Sequence, residues 1–177
     1  MHSLVVLSGN PRTPSKTSAT ALALAEAITA RVAAPLQVDV IELAELGPAV
    51  LEPGRADVAA AQARVASSDL LIVATPVYKG SYTGLLKAFL DGYGPTSLAG
   101  VAAIPLVIAA SPAHTTLAAE IHLRPLLHEV GAETPFGALA LLDGTVADAS
   151  ARDELLAEWV DARIALFGAV TAEEVRA

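Results

Sequence analysis

Short β-branched runs alternate with longer helical stretches along this whole chain, and that alternation admits very few folds. Leu4–Leu7 reads as a first strand and Ser15 to about Ala34 as an alanine-rich helix. Leu36–Ile41 follows as a second strand, Gly47-Pro48 and Pro53-Gly54 bracket a loop, and Ala56–Ser67 has helical spacing. Asp69–Ala74 forms a third strand, apolar enough to be buried on both faces. Ser81 to about Asp91 is a helix and Val101–Ala110 a fourth strand, in which Pro105 argues for an edge, a bulge or a late start. Thr115 to about Val130 is helical, and Pro125 inside it calls for a kink or a π-type turn. Phe136–Leu142 gives a fifth strand and Arg152–Phe167 a closing helix.

Strands that alternate with crossover-length connections imply an α/β fold with a parallel sheet covered by helices on both faces. Five strands and five helices in this order suit a flavodoxin-like three-layer sandwich with strand order 2-1-3-4-5. The expectation is a single domain over residues 1–177, with about 169–177 a frayed tail. Such sheets bind ligands beyond the carboxyl ends of their strands, near the switch point between the first and the third.

Suspicious residues lie at those ends. The first strand runs into Ser8-Gly9-Asn10-Pro11-Arg12-Thr13-Pro14-Ser15-Lys16-Thr17. A small turn feeding a helix offers free backbone N–H groups and a positive dipole end, and Arg12 and Lys16 add formal charge. Ser8, Thr13, Ser15 and Thr17 add neutral donors. The dinucleotide fingerprint is absent, and the triphosphate loop is out of register because Pro14 replaces its second glycine and Lys16 falls one place late. A short, proline-stiffened, hydroxyl-rich turn suits one terminal phosphate monoester, as in FMN.

The third strand ends in Thr75-Pro76-Val77-Tyr78-Lys79-Gly80-Ser81. Pro76 fixes the exit of the chain and Gly80 permits a left-handed turn, so backbone groups of Val77, Tyr78 and Lys79 are expected to face the crevice. The alternative is a rigid strand-to-helix turn anchored by Tyr78. The fourth strand ends in small residues up to Ser111 and His114, which suit the edge of a planar ligand or the cap of the next helix. His122 and His128 are spaced six apart and share no helix face, so no metal is expected.

Charge and composition exclude several partners. A formal net charge of −8 argues against nucleic acid and anionic membranes. No apolar run approaches the ~20 residues of a membrane span, and Met1-His2-Ser3-Leu4 lacks the basic region of a secretory signal. Cysteine is absent, which excludes disulfides and thiol catalysis and agrees with a cytoplasmic protein.

With its S-G-N-P-R-T-P-S-K-T and A-T-P-V-Y-K-G-S-Y-T-G-L-L-K motifs, and the later A-S-P-A-H and H-L-R-P-L-L runs, the chain resembles the NADPH-dependent FMN reductase family. These flavodoxin-like reductases supply reduced flavin to two-component monooxygenases. The resemblance implies that Ser8, Arg12, Ser15 and Thr17 hold the FMN phosphate, with Asn10 and Lys16 beside them. It implies that Pro76 through Ser81, entered from Thr75, line the isoalloxazine, with Ser111 and His114 at its edge. FMN and NADPH (or NADH) are the implied cofactors, and hydride passes between them with no catalytic side chain required. A homodimer or homotetramer is implied, with Leu85, Leu86, Phe89 and Leu90 in an interface or else in plain core. Some members carry an inserted aromatic or histidine that forms a π-turn at a tetramer interface; the local run here is Glu120-Ile121-His122, in which His122 either fills that role or neighbours it. Rival readings are a flavodoxin-like electron carrier, disfavoured by the scarcity of aromatics and by Trp159 lying in the last helix, a quinone or azo reductase using bound FMN, and an ATP-binding protein, disfavoured by the loop register.

Overall fold

The computed structural model describes residues 1–172. Its strands are β1 (His2–Ser8), β2 (Leu36–Glu42), β3 (Leu70–Pro76), β4 (Ala102–Ala109) and β5 (Leu139–Leu142), all parallel and ordered β2-β1-β3-β4-β5. The connecting helices are α1 (Lys16–Thr29), α2 (Leu43–Leu46), α3 (Ala56–Ala66), α4 (Gly84–Leu90), α5 (Pro112–Thr116), α6 (Arg124–Glu129), α7 (Asp143–Ala147), α8 (Ala149–Asp161) and α9 (Ile164–Ala172). A 3₁₀ turn covers Gly47–Leu51, and a π-helical segment, Leu117–Leu123, joins α5 to α6. This is the flavodoxin-like order expected from the alternation.

The strand period of two divides the core. Val5 and Leu7 of β1 join Leu71 and Val73 of β3 in one buried cluster with Val58, Val65, Leu86 and Phe89 from α3 and α4. Leu4 and Val6 join Leu70 and Ile72 in the other, against Leu24 and Ile28 of α1, Val160 of α8 and Phe167 of α9. Leu70 through Ala74 are all fully buried, as their composition predicted. Leu86, Phe89 and Leu90 are fully buried within the chain, so they are core and the interface alternative falls away for them.

Pro105 is accommodated without breaking the ladder. The N–H of Ala102 donates to Asp69 on the β3 side, whereas that of Ala103 donates to Glu133 on the other. Alternate peptides face opposite neighbours, so Pro105 faces the β5 side. There it lies between the Ala102–Glu133 bridge and the β5 ladder, which begins at Leu106 opposite Leu139. Its missing donor therefore costs no sheet bond.

Several elements are shorter than their apolar patterns suggest. Helix α1 ends at Thr29 with Ala30 as its C-cap, short of the Ala34 expected. Strand β5 starts only at Leu139, since Pro135 and the left-handed Gly137 (φ 71°) break the run before it. The closing helix is two helices. Asp148 caps α8 by accepting from Ser150 and Ala151 N–H (2.9 and 3.1 Å), and after the turn at Ala162–Arg163 the helix α9 is described through Ala172. The tail expected to fray from about 169 thus begins inside a helix, and its remainder lies outside the described residues.

The interruption expected near Pro125 is the π segment. Proline cannot donate, so the carbonyl of Ile121 loses its α-helical partner and the chain widens just upstream. His122 lies within this segment, and its Nδ1 is buried with no partner among the described residues.

Candidate functional site

The carboxyl ends of β1, β3 and β4 open on a crevice of about 360 Å³, within the usual range for small-molecule sites. Its first wall is the β1–α1 turn. Asn10 holds this turn from inside: its Nδ2 donates to Thr17 Oγ1 (3.2 Å) and its Oδ1 accepts from Arg12 N–H (3.0 Å). Ser15 caps α1, its Oγ accepting from Ser18 N–H (3.1 Å). The N–H groups of Lys16 and Thr17 remain unpartnered among the described residues and sit at the positive end of a helix of 14 residues. The exposed Arg12 guanidinium also has no partner among the described residues. An anion arriving here meets donors and a guanidinium charge that no described residue uses.

Not every predicted residue of this turn faces the crevice. Ser8 is fully buried, its Oγ without a partner among the described residues, and it does not line the opening. Arg12, Ser15, Lys16, Thr17 and Asn10 do, and Pro14 joins them.

The second wall is the β3 exit, where Pro76, Val77 and Tyr78 line the crevice. Tyr78 and Ser81 form a two-residue antiparallel turn: Tyr78 N–H donates to Ser81 O (2.8 Å) and Ser81 N–H to Tyr78 O (3.3 Å). Lys79 (φ 54°) and Gly80 (φ 85°) are both left-handed, the pattern of a type I′ turn. Gly80 was legible as such a residue; Lys79 was not. Val77 N–H is also spent, on Ile108 O (2.9 Å). The row of free backbone donors expected at Val77 and Tyr78 is therefore corrected. The unpartnered N–H groups, among the described residues, are those of Lys79 and Gly80. Thr75 is buried, and its Oγ1 accepts from Thr83 N–H (3.2 Å) and donates to Pro76 O (2.9 Å). Neither Thr75 nor the Lys79–Ser81 tip lines the crevice itself.

The third wall is the β4 end, formed by Ile108, Ala109 and Ala110. Ser111 and His114 stand beyond it. Ser111 starts α5 with its carbonyl accepting from His114 and Thr115 N–H (both 3.1 Å), and His114 is exposed. A fourth contributor escaped the sequence reading. Asp143, directly after β5, lines the same crevice and binds Lys16 Nζ through both carboxylate oxygens (3.1 and 3.0 Å). The rule that strand ends carry the site would have found it had it been applied to β5. Trp159 packs far from these walls, edge-on to Phe167 and under Arg163.

Fold and crevice together define a flavodoxin-like α/β protein with a cationic turn facing two backbone walls. Residues 2–148 match the NADPH-dependent FMN reductase family. The chain is 37% identical over 180 residues to the NADH-dependent FMN reductase SfnE of Pseudomonas putida, covering 94% of this chain and 92% of that protein. It is 33% identical over 152 residues to the FMN reductase (NADPH) of Escherichia coli K12, covering 83% of this chain and 73% of that one. The crystal structure of the apo form of the NADH:FMN oxidoreductase EMOB superposes with a TM-score of 0.81 at 36% identity, covering 92% and 88% of the two chains. The chain belongs to the NADPH-dependent FMN reductase family, a group of oxidoreductases that use FMN and a reduced nicotinamide dinucleotide.

Proposed function

We propose that the crevice is the flavin site of an NAD(P)H-dependent FMN reductase, with the phosphate on the β1–α1 turn and the ring between the β3 and β4 walls. The observation that carries this reading is the cation Arg12, unpaired among the described residues, beside the open N-terminus of α1, in a crevice whose other walls are the β3 exit and the apolar end of β4. The residues present fit the group. Arg12, Ser15, Lys16 and Thr17 suit one phosphate monoester, and Pro76–Tyr78 with Ile108–Ala110 offer flat surface to a ring. Lys79 and Gly80 keep free N–H groups on the adjoining turn, within the segment proposed to border the ring. Asn10 and Thr75 hold the turns through their hydrogen bonds, and Ser81 closes the hairpin.

Flavin, when bound, supplies the hydride acceptor for reduced nicotinamide. The protein's own work is to anchor, orient and dry the ring. Arg12 and the helix end fix the tail, while the apolar β4 end and Val77 exclude water. No acid or base of the chain is assigned to the reaction.

The released product is reduced FMN for a partner flavin-dependent monooxygenase, a reading supported by the family resemblance. A homodimer or homotetramer and a cytoplasmic setting belong to the same reading. Among the described residues no helix is long and apolar enough to cross a membrane. Anaerobic mixing with FMN and either NADH or NADPH tests the activity, with oxidation of at least one dinucleotide expected. A protein that binds FMN but oxidises neither is an electron carrier instead. Light scattering reads the oligomeric state.

A further inference from the structure

We infer that Asp143 is a built-in competitor for the flavin phosphate, holding Lys16 in the free protein and thereby loosening the grip on FMN. The inference rests on the phosphate reading given above. Lys16 belongs to the first turn of α1 and Asp143 to the chain just after β5, so the pair spans the opening from two elements far apart in sequence. Both side chains are about half exposed, at 52% and 50%, and both line the crevice. Among the described lining residues, Asp143 is the sole acid, against two cations, Arg12 and Lys16.

Two arrangements are open to a phosphate entering this space. If Lys16 swings to it, the Asp143 carboxylate is left facing a dianion with no counter-charge. If Lys16 stays, the phosphate keeps only Arg12 and the helix end. Either way the carboxylate lowers affinity, because a like charge a few ångströms away repels and an ion pair must be shared. An exposed pair is weak enough to be broken by a stronger anion, so its effect is tuning and not exclusion. A loosened hold suits a flavin that leaves after reduction and exchanges as a substrate. The same cationic turn without the carboxylate would favour a retained group.

The test is Asp143→Asn, which removes the charge at almost constant shape, with FMN and riboflavin titrated by quenching of their fluorescence. The expected result is FMN binding about fivefold tighter, the most an exposed ion pair usually contributes, with riboflavin unchanged because it has no phosphate. Lys16→Gln is expected to move FMN in the opposite direction and leave riboflavin alone. FMN affinity unchanged or weaker in Asp143→Asn, equal tightening of both flavins, or no effect of Lys16→Gln would overturn the inference. A wild-type protein that binds neither flavin fails at the functional reading itself, before either variant is measured.

Discussion

The hydroxyl of Thr83 donates to the carbonyl of Gly9 across 2.6 Å, in a contact buried from solvent and 74 residues apart in sequence. The same oxygen caps α4 by accepting from Leu86 N–H (3.1 Å), and Thr83 N–H donates to Thr75 Oγ1. One residue thus ties the β1–α1 turn and the start of α4 through its hydroxyl and the β3 exit through its backbone N–H. The first two walls of the crevice share this joint, so its loss should be felt in both stability and binding.

Thr83→Val keeps the shape and removes the hydroxyl. It leaves the Gly9 carbonyl and the Leu86 N–H unsatisfied, and chemical denaturation should show a loss of about 2–4 kcal/mol. FMN affinity measured by fluorescence quenching should fall as well.

Gly9 is required by contact, not by its backbone angles. A Cβ built there would lie 2.8 Å from Leu86 Cβ, and Leu86 is fully buried on α4. Gly9→Ala should cost about 1–3 kcal/mol through overpacking. Combined with Leu86→Gly, which removes the Cβ that the added methyl meets, it should cost less than the sum of the two single changes. Strict additivity in the denaturation cycle would refute the clash.

Arg12→Ala should weaken FMN by about 1.5–3 kcal/mol, the usual worth of a hydrogen bond to a charged group. Riboflavin binding should not change. Since Arg12 is exposed and has no partner among the described residues, the melting temperature without flavin should also stay constant.

Acid stability is expected to depend on the opposite end of the sheet. Burial pushes the Asp69 carboxyl up, but Ser3 donates to it from both its N–H (2.7 Å) and its hydroxyl (2.9 Å), and His2 lies 3.8 Å away. The net effect holds Asp69 below the usual carboxylate value. Such a group stabilises fully above its unfolded pKa of about 3.9, and the contribution is lost as pH falls through the lower folded value. Asp69→Asn should therefore flatten the stability–pH curve below about pH 4, read by denaturation at a series of pH values. An unchanged slope would count against this role.

The strand order was legible because each β-branched run is short and each intervening segment long enough for a crossover. Pro125 announced the widened helix for a similarly local reason: a missing donor must show itself within one turn. What stayed hidden depends on partners distant in sequence. Nothing near Val77 reveals that its N–H is taken by Ile108, and nothing near Lys79 requires a left-handed backbone except the pairing of Tyr78 with Ser81. Asp143 carries no local signal of a role, and only the sheet places it opposite Lys16. Ser111 and His114 follow the fourth strand, but the chain turns into α5 before their side chains reach the opening.

The division of β1 between two cores has a bearing on how this enzyme family member can change. Leu4 and Val6 serve one side of the sheet and Val5 and Leu7 the other, and Gly9 follows within two residues of Leu7. Deleting a single codon in this strand would throw the displaced side chains onto the wrong face of the sheet or drag the β1–α1 turn inward by about 3.3 Å. The fold and the proposed phosphate site are therefore written in one short stretch of gene, where substitutions can be tolerated and changes of length cannot.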